Sequence, residues 1–123
     1  MTVCQRLGVM NVERTGDPGV WIKGGQRKVC ALGVQVRRGI TSHGIGLNCF
    51  DRNEWLSWGF GRVVACGLDG KEATWLSKEM VVGGTRVDNV QGVGNDFVKA
   101  FAENLGGIDS VYTKDAKIPD KPS

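Results

Sequence analysis

The chain has 123 residues, enough for one domain with a modest core, and its 41% hydrophobic and 24% charged residues are ordinary for a folded protein. A net charge of +3, spread along the chain, argues against the dense basic patch that holds nucleic acid, and no apolar run approaches the ~20 residues of a membrane span. Four cysteines without CxxC spacing and a single histidine give no zinc pattern. No stretch resembles a secretory signal, so reduced thiols in an intracellular compartment are expected. The nineteen glycines, about double the usual share, predict many tight turns or close backbone approaches.

In chain order, Val3, Leu7 and Met10 form one helical stripe that Gly8 breaks. The segment reads as the end of an element, with no targeting segment ahead of it. Thr15-Gly16-Asp17-Pro18-Gly19 is a turn. Val20-Trp21-Ile22-Lys23 predicts a short strand and Gly24-Gly25-Gln26 a hairpin-like turn. Lys28 to Val36 is the clearest strand. Its alternation sets Lys28, Cys30, Leu32, Val34 and Val36 on one face and Val29, Ala31, Gly33 and Gln35 on the other, with both faces covered. The Arg37-Arg38 pair, before Gly39, reads as a solvated end.

Ile40 to Phe50 predicts a second strand region interrupted by Gly44 and Gly46, glycines that suggest a bulge or a close approach of ligand to backbone. Asp51 to Gly61 reads as a short helix or turn whose tryptophans pack inward. Val63 to Leu68 is an apolar run that brings Cys66 to a tight turn at Gly67. Asp69-Gly70-Lys71 is a turn, Ala73 to Met80 is a short segment of open type, and Gly83-Gly84, Gly92 and Gly94 punctuate a loop. Asp96 to Leu105 is the best helix: Asn95 caps it, Phe97, Val98, Phe101 and Leu105 form its stripe, and Gly106-Gly107 ends it. Residues 1–113 are expected to form one partial domain and 114–123 a disordered tail. Strands first and the firm helix last predict an α+β fold, with a mixed or antiparallel sheet and flanking helices.

Cys66 is the leading candidate for chemistry. A thiol attacks as thiolate, a nearby cation favours that form, and Lys28 can supply the cation or act as a base. As a plain alternative, Cys66 is one of four small buried hydrophobes and Lys28 a surface lysine. His43 sits in Thr41-Ser42-His43-Gly44-Ile45-Gly46-Leu47-Asn48, where it can orient a ligand carbonyl or a catalytic group; taken alone it reads as a hydrogen-bonded structural histidine. Backbone N–H groups at Gly44 to Gly46 can approach a developing oxyanion. Cys30 and Cys49 read as core.

Four blocks in order resemble one family: Gly19-Val20-Trp21, Arg27-Lys28-Val29-Cys30-Ala31-Leu32-Gly33-Val34, Ile40 to Asn48, and Ala65-Cys66-Gly67-Leu68 with Thr74-Trp75-Leu76-Ser77 beyond. The family is that of the lipoyl(octanoyl) transferases, with the similarity leaning towards eukaryotic members. The resemblance implies the biotin/lipoate ligase catalytic fold and transfer of octanoate from octanoyl-acyl carrier protein to a lysine of a lipoyl domain, in the 2-oxoacid dehydrogenase complexes and the glycine cleavage H protein. It implies Cys66 as the thioester carrier, Lys28 as the residue that lowers its pKa, and substrate contacts at Ala31, Leu32, Gly33, His43, Gly44, Ile45 and Gly46. No metal, no cofactor and no nucleotide are implied. Eukaryotic members work in mitochondria, and other members in the cytoplasm.

The sequence departs from the family at Ala65, where bacterial members commonly have proline, at Gly46 (alanine) and at Trp75 (serine). The family's glycine-rich, histidine-bearing N-terminal segment is not among these residues, so a domain truncated at its N-terminus is expected. Two other readings stand beside the acyltransferase: a non-catalytic remnant that binds a carrier or lipoyl domain, and a small thiol redox protein, which the missing CxxC disfavours.

Overall fold

The computed structural model describes residues 1–60, 70–80 and 89–112. Helix α1 (Thr2–Arg6) is followed by strands β1 (Val12–Glu13), β2 (Val20–Ile22), β3 (Arg27–Arg37) and β4 (Ile40–Leu47). A 3-10 turn (Arg52–Glu54) leads into α2 (Trp55–Phe60); β5 (Glu72–Ala73), α3 (Leu76–Glu79) and α4 (Val90–Leu105) follow. The sheet runs β1-β2-β3-β4 with antiparallel neighbours, and β5 pairs with β3 in parallel, so the sheet is mixed. This is the expected α+β arrangement.

β3 and β4 form a hairpin closed by Arg38 (φ 51°) and Gly39 (φ 76°). Two successive positive φ values match the right-handed twist of the strands, which is why a two-residue turn ends β3 here. The register runs unbroken from Cys30↔Leu47 to Arg37↔Ile40, so Gly44 and Gly46 do not interrupt β4. The coverage expected on both faces of β3 also fails. Lys28, Val29 and Cys30 are buried, but residues 31–37 are exposed along with most of β4. The strand leaves the core at Cys30 and continues as a two-stranded ribbon.

The core gathers Val3, Cys4 and Leu7 with Ile22, Val29, Cys30, Leu76, Val93 and Ala100. Met10, assigned to the α1 stripe by spacing, is exposed instead. The last helix begins earlier than expected. Asn89, not Asn95, is its cap, accepting from the Gln91 and Gly92 N–H groups at 2.9 and 3.4 Å. Gly92 and Gly94 lie in its first turns, where the cap and the burial of Val93 outweigh the cost of glycine in a helix. Its end at Gly106 (φ 73°) is as expected. Asp51 holds the start of α2 through the Leu56 N–H at 2.7 Å and the Ser57 hydroxyl. Trp55 and Trp58 on α2 are exposed rather than packed inward.

Candidate active site

The site is built at the root of the ribbon. In the register of β2 with β3, Trp21 opposes Lys28, but Val20 opposes Cys30. One step along β2 thus matches two along β3, and Val29 is the extra residue of a β-bulge. Successive residues of β2 point to opposite faces and cross-strand partners share a face, so Lys28 and Cys30 lie on opposite faces of the sheet. Beyond the bulge, alternation puts Ala31 and Gly33 on the face of Lys28, and their partners Gly46 and Gly44 with them. Simple alternation had grouped Lys28 with Cys30; the bulge reverses that assignment.

The Lys28 face is therefore nearly bare. Ala31, Gly33, Gly44 and Gly46 carry one methyl group among them, and an ideal Cβ placed on any of the three glycines meets no atom within 4 Å. An apolar chain can lie directly against backbone there. Lys28 itself is 5% exposed, and its Nζ lies 4.9 Å from the centroid of the Trp21 ring. Trp21 is fully buried and donates its indole N–H to the Asp17 carbonyl at 3.1 Å. Lys71 Nζ lies 5.7 Å from the same ring and donates to the Gly25 carbonyl at 2.9 Å. At Gly19 (φ 125°) an added Cβ would stand 2.5 Å from the Cys30 carbonyl oxygen and 3.0 Å from Lys28 Cε, so only glycine lets the turn pass under the lysine.

The opposite face carries Leu32 and Ile45, which with Cys30, Leu47 and Phe97 of α4 border a cleft of about 430 Å³. His43 opposes Val34 and so belongs to this face as well; it is exposed, with Nε2 3.2 Å from the Thr41 hydroxyl. The structure thus brings Lys28 together with Ala31, Gly33, Gly44 and Gly46, and sets the side chains of Leu32, Ile45 and His43 behind them. Cys66 lies outside the described residues.

The described thiols are poor nucleophiles. Burial pushes Cys4, Cys30 and Cys49 upward, Cys30 to about 11. All three are free. Among the described residues, no cluster of three metal-ligating side chains occurs and no helix is long and apolar enough to cross a membrane.

Sequence reasoning missed a polar cluster under Lys28. Arg27 donates through Nε and one terminal nitrogen to the two oxygens of Glu79, at 2.7 and 2.8 Å. The fully buried Thr74 donates its hydroxyl to Glu79 at 2.6 Å. Burial pushes the Glu79 carboxyl up, but the hydrogen bonds from Arg27 and Thr74 outweigh it and hold the group below its usual range. A bidentate arginine needs a carboxylate at matching depth, a relation between residues far apart in sequence that spacing alone does not reveal.

An α+β sheet with helices against one face, and a lysine beside a small-residue patch on the other, is the class this architecture defines. The profile of the lipoyl protein ligase A/B catalytic domain matches residues 1–102, and the chain belongs to that family. Several of its relatives are octanoyltransferases by name. The chain is 43% identical over 101 residues to the mitochondrial octanoyl-acyl-carrier-protein:protein N-octanoyltransferase of Xenopus tropicalis, covering 82% of this chain and 38% of that protein. It is 46% identical over 83 residues to an octanoyltransferase of Acidothermus cellulolyticus, covering 65% and 36% respectively. Against the mitochondrial octanoyltransferase of Saccharomyces cerevisiae the identity is 38% over 92 residues, covering 75% and 26%. The chain therefore spans about a third of the length of the curated relatives it matches. No solved structure matches.

Proposed function

We propose that this chain carries the acyl-transfer chemistry of an octanoyltransferase acting in protein lipoylation. The thiolate of Cys66 attacks the carbonyl of octanoyl-acyl carrier protein; a new C–S bond forms, the old one breaks, and the carrier leaves as its thiolate. A neutral lysine amine of a lipoyl domain then attacks the Cys66 thioester, an amide forms, the Cys66 thiolate is regenerated, and the proton lost by the amine balances the carrier thiolate. Thioester exchange conserves the energy of the acyl bond, so no nucleotide enters. The acceptors in this reading are the lipoyl domains of 2-oxoacid dehydrogenase complexes and the glycine cleavage H protein. The place of action in this reading is the mitochondrion, which the mitochondrial names of eukaryotic relatives support.

One observation carries this reading: the bulge at Val29 turns Lys28 onto the bare face of the ribbon. A lysine there favours the thiolate of a cysteine brought beside it. The acyl chain lies along Ala31, Gly33, Gly44 and Gly46, and each CH₂ taken from water contributes about 0.8 kcal/mol. Leu32, Ile45 and His43, whose side chains lie on the far face, contribute backbone to the same wall.

The second reading is a non-catalytic remnant that binds a carrier or lipoyl domain. The exposure of both faces of the ribbon favours it, because an acyl chain held on one wall stays half in water. Intact mass after incubation with octanoyl-acyl carrier protein, beside Cys66→Ser, separates the two. A hydroxylamine-labile octanoyl adduct on the unsubstituted chain alone supports the transferase. No adduct on a chain that circular dichroism shows to be folded supports the remnant.

A further inference from the structure

We infer that Thr74, with Glu79 and Arg27, is a positioning cluster for Lys28; the inference rests on the acyl-transfer reading above. Thr74 uses every polar group it has. Its N–H donates to the Lys28 carbonyl at 2.8 Å. Its carbonyl accepts from the Asn48 side-chain amide at 2.9 Å. Its hydroxyl donates to Glu79 at 2.6 Å, and Glu79 is gripped at both oxygens by Arg27. A closed ring of contacts therefore runs from the Arg27 side chain through Glu79 and Thr74 to the Lys28 backbone and back along one peptide bond. It closes on the residue immediately before the bulge, where a change in strand twist decides which way Lys28 points.

A lysine side chain is a long lever. A tilt of about 10° at its Cα moves an atom about 6 Å out by about 1 Å, a displacement that can cost a reaction about 100-fold. The Glu79 side chain is only 10% exposed and that of Arg27 22%, so solvent screens this pair less than a surface ion pair. The depth of the pair and the full satisfaction of Thr74 are what holding one backbone orientation requires. The cluster does not touch substrate; it acts through Lys28.

The test reads Cys66 reactivity against pH. The full chain is pulsed with iodoacetamide across a pH series, and Cys66 alkylation is followed by peptide-resolved mass spectrometry. The unsubstituted chain should show a midpoint below the ordinary thiol value of about 8.5. An ordinary midpoint there overturns the acyl-transfer reading, and the positioning role falls with it. Given a lowered midpoint, Thr74→Val, which removes the hydroxyl at constant volume, should raise it by about half a pH unit and slow alkylation at neutral pH about threefold. Thr74→Ser, which keeps the hydroxyl, should restore the original midpoint. If Thr74→Val lowers the melting temperature but leaves the midpoint in place, the cluster is structural only and the inference is wrong. Should Thr74→Val fail to fold, Glu79→Gln decides by the same midpoint.

Discussion

Lys28 and Cys30 stand two residues apart on one strand and face opposite sides of the sheet. One inserted residue, Val29, separates a lysine set beside open backbone from a cysteine buried against α1 and α4. The same insertion explains why the two groups differ in chemistry. Burial pushes Cys30 up to about 11, whereas Lys28 lies over the Trp21 ring.

Lys28→Met keeps an unbranched side chain, one atom shorter, that can still pack on Trp21. It removes a cation–π contact worth ~0.5–2 kcal/mol, a loss that urea unfolding will register. The larger effect falls on Cys66, whose alkylation at neutral pH should slow about tenfold. Equal rates in the two proteins would remove Lys28 from the proposed chemistry.

Gly46→Val puts its Cβ into open space on the bare face, with nothing within 4 Å. Valine also suits a strand better than glycine, so stability should hold within about 0.5 kcal/mol or rise. The octanoyl adduct on Cys66 should nevertheless be lost. A stable variant that still forms the adduct would move the acyl chain to another surface.

Gly19→Ala carries the opposite signature. The residue has φ 125°, and its new Cβ would press on the Cys30 carbonyl oxygen at 2.5 Å. A loss of about 2 kcal/mol or more is expected in thermal or urea unfolding. An unchanged melting temperature would mean that the turn beneath Lys28 can open.

Stability should fall at both ends of the pH scale, through different groups. The folded state holds Glu79 below its ordinary value of 4.5, so its contribution is complete above that value and is lost as pH drops through the lower folded value. Glu79→Gln should flatten this acid limb. At the alkaline end Cys30 is raised from 9.0 to about 11, so the unfolded chain releases its proton first. The Cys30 contribution is complete below 9.0 and is lost as pH rises towards about 11. Melting temperatures across the range check both limbs, and a flat profile at either end contradicts the corresponding assignment.

The strands were readable because their signals are local: the alternation of β3, the Arg37-Arg38-Gly39 turn and the glycine stop after Leu105 all lie in short windows. The bulge was not readable, because Val29 in sequence is one more apolar residue in a strand. Only the offset between Val20↔Cys30 and Trp21↔Lys28 exposes it. Gly44 and Gly46 invited a bulge that β4 does not have; there the missing side chains serve surface shape rather than strand geometry. Gly92 and Gly94 lower the local helix propensity and read as a loop ahead of a cap at Asn95; the burial of Val93 carries the helix through them to its cap at Asn89. The cluster of Arg27, Thr74 and Glu79 depends on three-dimensional proximity and leaves no periodic trace.

Among the described residues, β2 stops pairing with β3 at Cys30, and β4 has no partner on its outer side. The ribbon therefore hangs on one ladder of hydrogen bonds. Amide exchange should be slow at Val29 and Cys30 and quicken along residues 31–37, with the steepest gradient at the bulge. The proposed acyl wall is thus the part of the sheet that opens most cheaply, and a chain laid across it would have its clearest effect in the time domain, as protection spreading outward from Ala31 and Gly46.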